Sequence, residues 1–401
     1  MDEKLLQIEK DAYNYFMDFT SFNETNKTYG LTKDHSQANV ATIAGIGFFL
    51  PALIIGAERG YLSKSKALEI TIKTLKNLKG IDHFQGMFVH FIDLNNGLRH
   101  KKNEYSTIDT WIAFLGMLAA DNYYKNFEVS NLVNYFISRF NFQNLIFDYQ
   151  GKKCFRMSYN PDQDGDYVEN KPGYIYQWHM FSEALIVYPL FAGITDNVNE
   201  AKALYNGFER RLIKVENYDF YHTPGNALFV YQLPIGFIDF SKYVDENNVN
   251  WFSNAKNAIT ANYLSSIKNH TDPNLKEYGW GATASDSPRG YRVYGPKPNY
   301  CHLNYPDGTY CPSAIVSSLP FLKEISEVTL NKFDDYQIKG KYGYFDSFNL
   351  RINWVSNRYY AFNKGMELIF SNLVLSGLIQ KLITEHELIQ KGFERLGFRR
   401  L

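Results

Sequence analysis

The chain has 401 residues and a balanced charge, 42 Lys+Arg against 42 Asp+Glu, so nothing in its composition calls for nucleic acid, an anionic membrane surface or an acidic tail. Aromatics make up 17% of it, with 31 Tyr, 31 Phe and 5 Trp. Tyrosine in excess over tryptophan suits a polar, carbohydrate-lined cleft, although an AT-rich genome enriches the same residue types. The three cysteines, Cys154, Cys301 and Cys311, are too few for a disulfide framework; Cys301 and Cys311 could pair, but nothing in the spacing demands it.

The N-terminus, MDEKLLQIEK, is charged and has no apolar h-region. The expected location is therefore cytoplasmic as written, or periplasmic or secreted if an export signal has been removed. Apolar residues at Leu5, Ile8, Ala12, Phe16 and Phe19 form a helical stripe, followed by a polar loop with Lys33, Asp34 and His35. Val40 to Arg59 reads as a buried helix. Its apolar stretch, Ile43 to Gly56, contains Pro51 and is too short to span a bilayer. Gly60 is the expected C-cap and Ser63 caps a helix from Lys64 to Leu78, making an αα-hairpin. Phe84 to Leu98, with alternating Phe88, His90 and Ile92 and then Asn-Asn-Gly, predicts a short β-hairpin. Helices follow over Asn103 to Tyr124 and Val129 to Phe140. Asp162, Asp164 and Asp166 resemble a calcium loop only loosely, and loop solvation is the better reading. Further helices are predicted over Asn199 to Leu212, Asn250 to Ile267, Ser313 to Ser326 and Met366 to Leu382. Tyr278 to Pro312 is a glycine- and proline-rich excursion too long for idle connection. No charged linker divides the chain. The pattern predicts an all-α fold, residues 1–401 as one (α/α)6 toroid of paired helices, with a small β-hairpin and loops gathered at the cleft.

One stretch organises the rest: YQWHMFSEALIVYPL, Tyr176 to Leu190. It places Trp178, His179 and Phe181 before Ser182 and Glu183, and then an apolar run. A carboxyl at the mouth of a buried helix with aromatic faces beside it is what a sugar-cleaving site needs, because burial lets it hold a proton near neutrality. The bland reading is an N-cap serine and a first-turn acid. Cleaving a glycosidic bond needs a second carboxyl. Glu104 and Asp109 lie in EYSTIDTW beside Trp111, where Ser106 and Asp109 also form a capping-box pattern. Asp286 sits in WGATASDSPRGY with Trp280, Arg289 and Tyr291, a setting equally suited to turn chemistry. Asp346 in YFDSFN is the last candidate, or a helix cap. Histidines are scattered without metal-ligand spacing, and no phosphate loop or G-x-S-x-G elbow appears, so no metal and no cofactor is expected.

With these motifs the chain resembles the glycoamylase-like domain family, the bacterial β-1,2-glucanases of glycoside hydrolase family 144 and their unclassified relatives. The carrying stretches are YGLTKDHS, IAGIGFFLPALIIGAERGYLS, EYSTIDTWIAFLGMLAA, YQWHMFSEALIVYPL, WGATASDSPRGYRVYG, DGTYCPSAIVSSLPF and YGYFDSFNL, in the family's order from Tyr29 to Leu350. The resemblance implies an (α/α)6 toroid, inverting hydrolysis of β-1,2-glucan, Glu183 as general acid and a second acidic position at Asp109. This chain departs from the characterised glucanases at Lys102, Ser106 and Asp109, and reads Asn363-Lys364-Gly365-Met366 where the family has DQGP. Those differences bear on linkage specificity and on activity.

The expectation is thus a cofactor-independent hydrolase of β-glucan or its oligosaccharides, with Glu183 as acid and Asp109 and Glu104 orienting water. Trp178, His179, Trp111, Trp280, Asp286, Arg289, Tyr291 and Asp346 would bind substrate. A polysaccharide lyase or sugar epimerase on the same toroid is the alternative, as is a non-hydrolytic glucan-binding protein. The expected partner is an oligo- or polysaccharide, with no nucleic acid and no membrane. Oligomeric state is not legible.

Overall fold

A computed structural model of the chain describes residues 1–163, 171–269, 271–301 and 304–401. Among these it is mainly helical, with fourteen α-helices and short strand pairs between them. They run α1 (Asp2–Phe19), α2 (Ala44–Glu58), α3 (Lys64–Leu78), α4 (Thr107–Tyr124), α5 (Phe127–Arg139), α6 (Val187–Ile194) and α7 (Val198–Tyr205). Then come α8 (Leu228–Phe237), α9 (Trp251–Asn269), α10 (Pro312–Val316), α11 (Lys323–Phe333), α12 (Ala361–Leu375), α13 (Leu378–Thr384) and α14 (Glu387–Arg395). The buried apolar side chains form one cluster running from Leu5 in α1 to Phe398 after α14.

The predicted hairpin of α2 and α3 forms as read. Gly60 follows α2 with φ +72, and the Ser63 hydroxyl accepts the Lys66 N–H. At the heart of the core α2 lies against α4, backbone to backbone. A Cβ on Gly47 would stand 2.3 Å from the Ile112 carbonyl oxygen, and one on Gly116 would stand 2.7 Å from the Gly47 Cα. Only glycine permits that approach. It fixes the height of the α4 N-terminus, which carries Asp109, against the α2 N-terminus.

Several elements differ from the sequence reading. Val40–Thr42 is a strand, not helix, because its residues pair antiparallel with Phe91–Asp93. The same happens at Tyr105–Ser106, which pairs with the strand Lys152–Tyr159 before α4 begins. Lys152–Tyr159 also pairs with Ile146–Tyr149 and Tyr174–Gln177, a four-stranded sheet that helical periodicity could not reveal. The predicted helix Asn199 to Leu212 stops at Tyr205, and Leu212–Val215 forms a hairpin with Tyr218–Tyr221. Ser313 to Ser326 is two helices, α10 and α11, with Pro320 in the break between them, and Met366 to Leu382 bends at Gly377, whose φ is +66. All three cysteines are free, Cys301 exposed and the other two buried. Asp162 forms an ion pair with Arg99 at 3.0 Å, while Asp164 and Asp166 lie outside the described residues.

Candidate active site

Five helical segments turn their starts towards one cavity of about 470 Å³. Ala44 opens α2, Ile108, Asp109 and Ile112 lie in the first turns of α4, and Glu183 opens a 3-10 turn, Glu183–Ile186, that leads into α6. Phe229 and Leu233 come from α8, and Tyr360 and Phe362 flank the start of α12. Asp34 and His35 enter from the loop after α1, His90 and Phe91 from the strand region before α4, and Tyr291 and Val293 from the excursion between α9 and α10. Aromatic faces and carboxyls thus share one wall, a lining that can hold pyranose rings and move protons.

The Ser182 hydroxyl accepts the Ala184 N–H and starts the turn, leaving the Glu183 side chain directed at the cavity. Burial pushes the Glu183 carboxyl up to about 7, opposed by a backbone hydrogen bond and reinforced by the charge of Asp109. Near neutrality it therefore carries a proton for much of the time, which a general acid requires. Asp109 is the capping-box residue of α4: the Ser106 Oγ donates to its Oδ2 and accepts its backbone N–H. That satisfies the structural role, and Asp109 still reaches the cavity. Asp34 is the third acid. Burial pushes it up to about 6, with His90 opposing and Asp109 adding.

Of the residues read from sequence, Glu183, Asp109 and Tyr291 meet in the cavity. Glu104 does not line it; its Oε1 lies 2.7 Å from Nδ1 of His90, and this hydrogen bond holds its carboxyl below the usual range. Trp111 and Trp280 are fully buried in the core, the Trp280 indole donating to Thr329 at 2.9 Å, so neither reaches substrate. Trp178 is 7% exposed and donates to the Thr107 hydroxyl at 3.0 Å, which ties down the start of α4 rather than forming a subsite wall. His179 packs on Tyr149, ring centroids 4.8 Å apart, outside the cavity lining. Arg289 is exposed and also lies outside it.

Asp286 and Asp346 form a separate buried scaffold. Asp286 is 1% exposed, is gripped by Arg358 through Nη2 at 2.7 Å and Nε at 3.0 Å, and accepts the Ser356 hydroxyl. Asp346 accepts the Asp286 N–H at 2.6 Å and the Asn363 amide at 2.8 Å. Burial pushes Asp346 up to about 7, against those two hydrogen bonds. Neither lines the cavity. The scaffold ends on Arg358, two residues from Tyr360, whose ring meets Tyr291 at 4.9 Å between centroids. The Arg358 guanidinium also lies 5.8 Å from the centroid of the Tyr360 ring, so the scaffold abuts the aromatic part of the lining.

Sequence reading passed over Asp34 and His90. Asp34 lay in a polar loop with nothing local to mark it. His90 was visible only as one residue in a strand-like alternation. Its significance comes from partners 14 and 19 positions away, Glu104 and Asp109.

A curated Parabacteroides distasonis protein, an exo β-1,2-glucooligosaccharide sophorohydrolase acting at the non-reducing end, is 24% identical over 98% of the chain, and the chain spans 58% of its length. An endo-β-1,2-glucanase from Chitinophaga pinensis, solved with sophorotriose and glucose, superposes with a TM-score of 0.83 at 24% identity, over 100% of this chain and 99% of that one. A β-1,2-glucanase structure from Parabacteroides distasonis gives 0.82 at 21% identity, over 99% of this chain and 60% of that one. These likenesses establish the shared fold. The Glycoamylase family model ("Putative glucoamylase") matches residues 175–387, more than half of the sequence and the part that contains Glu183, and the chain belongs to that family.

Proposed function

We propose that the protein is a glycoside hydrolase that cleaves β-1,2-glucan or its oligosaccharides with inversion, on an (α/α)6 toroid. The observation that carries this reading is the cavity shared by Glu183, held up to about 7, and Asp109, whose charge helps hold it there. A buried carboxyl that holds a proton, beside a second carboxyl on the same cavity, is the arrangement an acid–base pair needs. In the proposed step Glu183 gives its proton to the glycosidic oxygen as the bond to the anomeric carbon breaks. Asp109 takes a proton from the water that attacks the same carbon. Tyr291, Tyr360 and Phe91 offer faces to the sugar rings.

The linkage rests on the named activities of the relatives above. The lyase alternative fits the lining poorly. Among the described residues lining the cavity there is no Lys or Arg to hold a uronate. His90 is charged near neutrality (about 9), which unfits it as a base. The test is reducing-end release from a panel of β-1,2-, β-1,3-, β-1,4- and β-1,6-glucans. Release from β-1,2-glucan above all others supports the proposal. An unsaturated, ultraviolet-absorbing product, or release from a uronic or α-linked substrate alone, overturns it.

A further inference from the structure

Five contacts hold His90. Its backbone N–H donates to the Glu104 carbonyl at 2.9 Å, and its own carbonyl accepts the Ile43 N–H at 3.0 Å. Its ring lies over Phe91, centroids 3.8 Å apart and planes 20° from parallel. Nδ1 is 2.7 Å from Glu104 Oε1, and Nε2 is 3.6 Å from Asp109 Oδ2. The second separation is an ion-pair distance rather than a hydrogen bond. The Asp109 oxygen that faces His90 is the one that already accepts from Ser106, so both restraints fall on Oδ2. Oδ1 has no protein partner among the described residues, on a side chain that lines the cavity.

The charges follow from the same geometry. The groups facing His90 are Glu104 from the segment before α4, Asp109 from α4 itself and Asp34 from the loop after α1. Burial would lower the pKa of the imidazole, but these three acids outweigh it. Asp109 lies within electrostatic reach of His90, Glu183 and Asp34 alike. Beside Oδ2 of Asp109 the imidazolium offsets the negative charge that acids crowd into this cavity.

We propose that His90 is a positioning residue, a Glu104-anchored imidazole that pins Oδ2 of Asp109 and sets a compensating cation beside it, so that Oδ1 is presented to water in the cavity. This rests on the reading of Asp109 as base. It gives Glu104 a role outside the cavity: it orients the imidazole as a carboxylate behind a histidine does elsewhere.

The test compares wild type, His90→Gln, Glu104→Gln and Asp109→Asn on a β-1,2-glucan oligosaccharide, with kcat and KM across pH and thermal midpoints at pH 7. His90→Gln should lower kcat about 10- to 100-fold with KM within about threefold, and move the acid limb of the kcat profile up by roughly one unit. A structural role alone would lower the midpoint and leave the limb in place; that result, or an unchanged kcat, overturns the proposal. If Asp109→Asn keeps full activity, the base assignment fails instead. The imidazole signal of His90, identified by its loss in His90→Gln, gives a readout independent of activity. It should remain protonated through pH 8 in wild type and titrate lower in Glu104→Gln. An ordinary titration that ignores Glu104→Gln overturns the proposal even if no glucan is cleaved.

Discussion

Two groups of buried acids lie close together in this protein, and they do different work. Asp286 and Asp346 are 1% and 3% exposed, and their carboxyls are held from within the protein by Arg358, Ser356, Asn363 and the Asp286 backbone N–H. Glu183, Asp109 and Asp34 keep an edge open to the cavity, and no other side chain among the described residues bonds the Glu183 or Asp34 carboxyl. Burial raises Asp346 and Glu183 alike, each to about 7. A raised pKa therefore does not single out the reacting acid. What separates the two groups is where the unfilled lone pairs point: into protein for one, into a cavity with aromatic walls for the other.

The comparison breaks first at Asp109. Asp109→Asn should cut kcat by about 10²- to 10⁴-fold if it activates water, while leaving the fold nearly intact, since the amide can still accept from Ser106. Equal loss of activity and stability would place it with the scaffold. On the scaffold side, Arg358→Ala leaves the Asp286 charge buried and unpaired. It should cost about 3 kcal/mol, at the low end for a buried pair because Arg358 is 28% exposed. Chemical denaturation measures it, and a cost below about 0.5 kcal/mol, the range of a surface pair, would show that water already solvates Asp286.

A pH series sharpens the contrast. Asp34, Glu183 and Asp346 all bind protons more tightly in the folded chain, at about 6, 7 and 7 against ordinary values of 3.8, 4.5 and 3.8. The stability they contribute is complete below their ordinary values and is lost as pH rises through their folded ones. The thermal midpoint should therefore fall on their account between about pH 4 and 7. Glu183→Gln and Asp346→Asn should each flatten that slope, but only Glu183→Gln should alter the alkaline limb of activity. The smallest effect is expected at the cavity rim. Tyr291 is 45% exposed and meets Tyr360, so Tyr291→Ala should raise KM by about tenfold, the worth of one aromatic contact, and leave kcat within about threefold. A large fall in kcat would move Tyr291 into the chemistry.

Local signals in the sequence carried what local physics decides. The α1 stripe, the Gly60 stop with its Ser63 cap, the Ser106–Asp109 box and the Ser182–Glu183 helix start all stand in the structure as read. What failed were inferences from residue type to surface. Trp111 and Trp280 were placed at subsites because tryptophan binds sugars, yet both fill the core, where a large apolar side chain is equally at home. Asp286 and Asp346 looked like site acids because nothing nearby in sequence discloses Arg358 or Asn363, 72 and 17 positions away. His90 and Asp34 were missed for the converse reason: their partners converge only when the start of α4 is brought up beside α2, an approach set by Gly47 and Gly116.

The most direct test of the central claim is the rate of glycosidic cleavage by Glu183→Gln, read alongside its thermal midpoint at pH 8. The substitution removes the proton and keeps the size. If Glu183 is the general acid, kcat on β-1,2-glucan oligosaccharides falls by about 10²- to 10⁴-fold, oligosaccharide binding persists, and the midpoint holds or rises because a buried charge has gone. An unchanged rate with a lowered midpoint would contradict the account and leave Glu183 as no more than a helix-end acid.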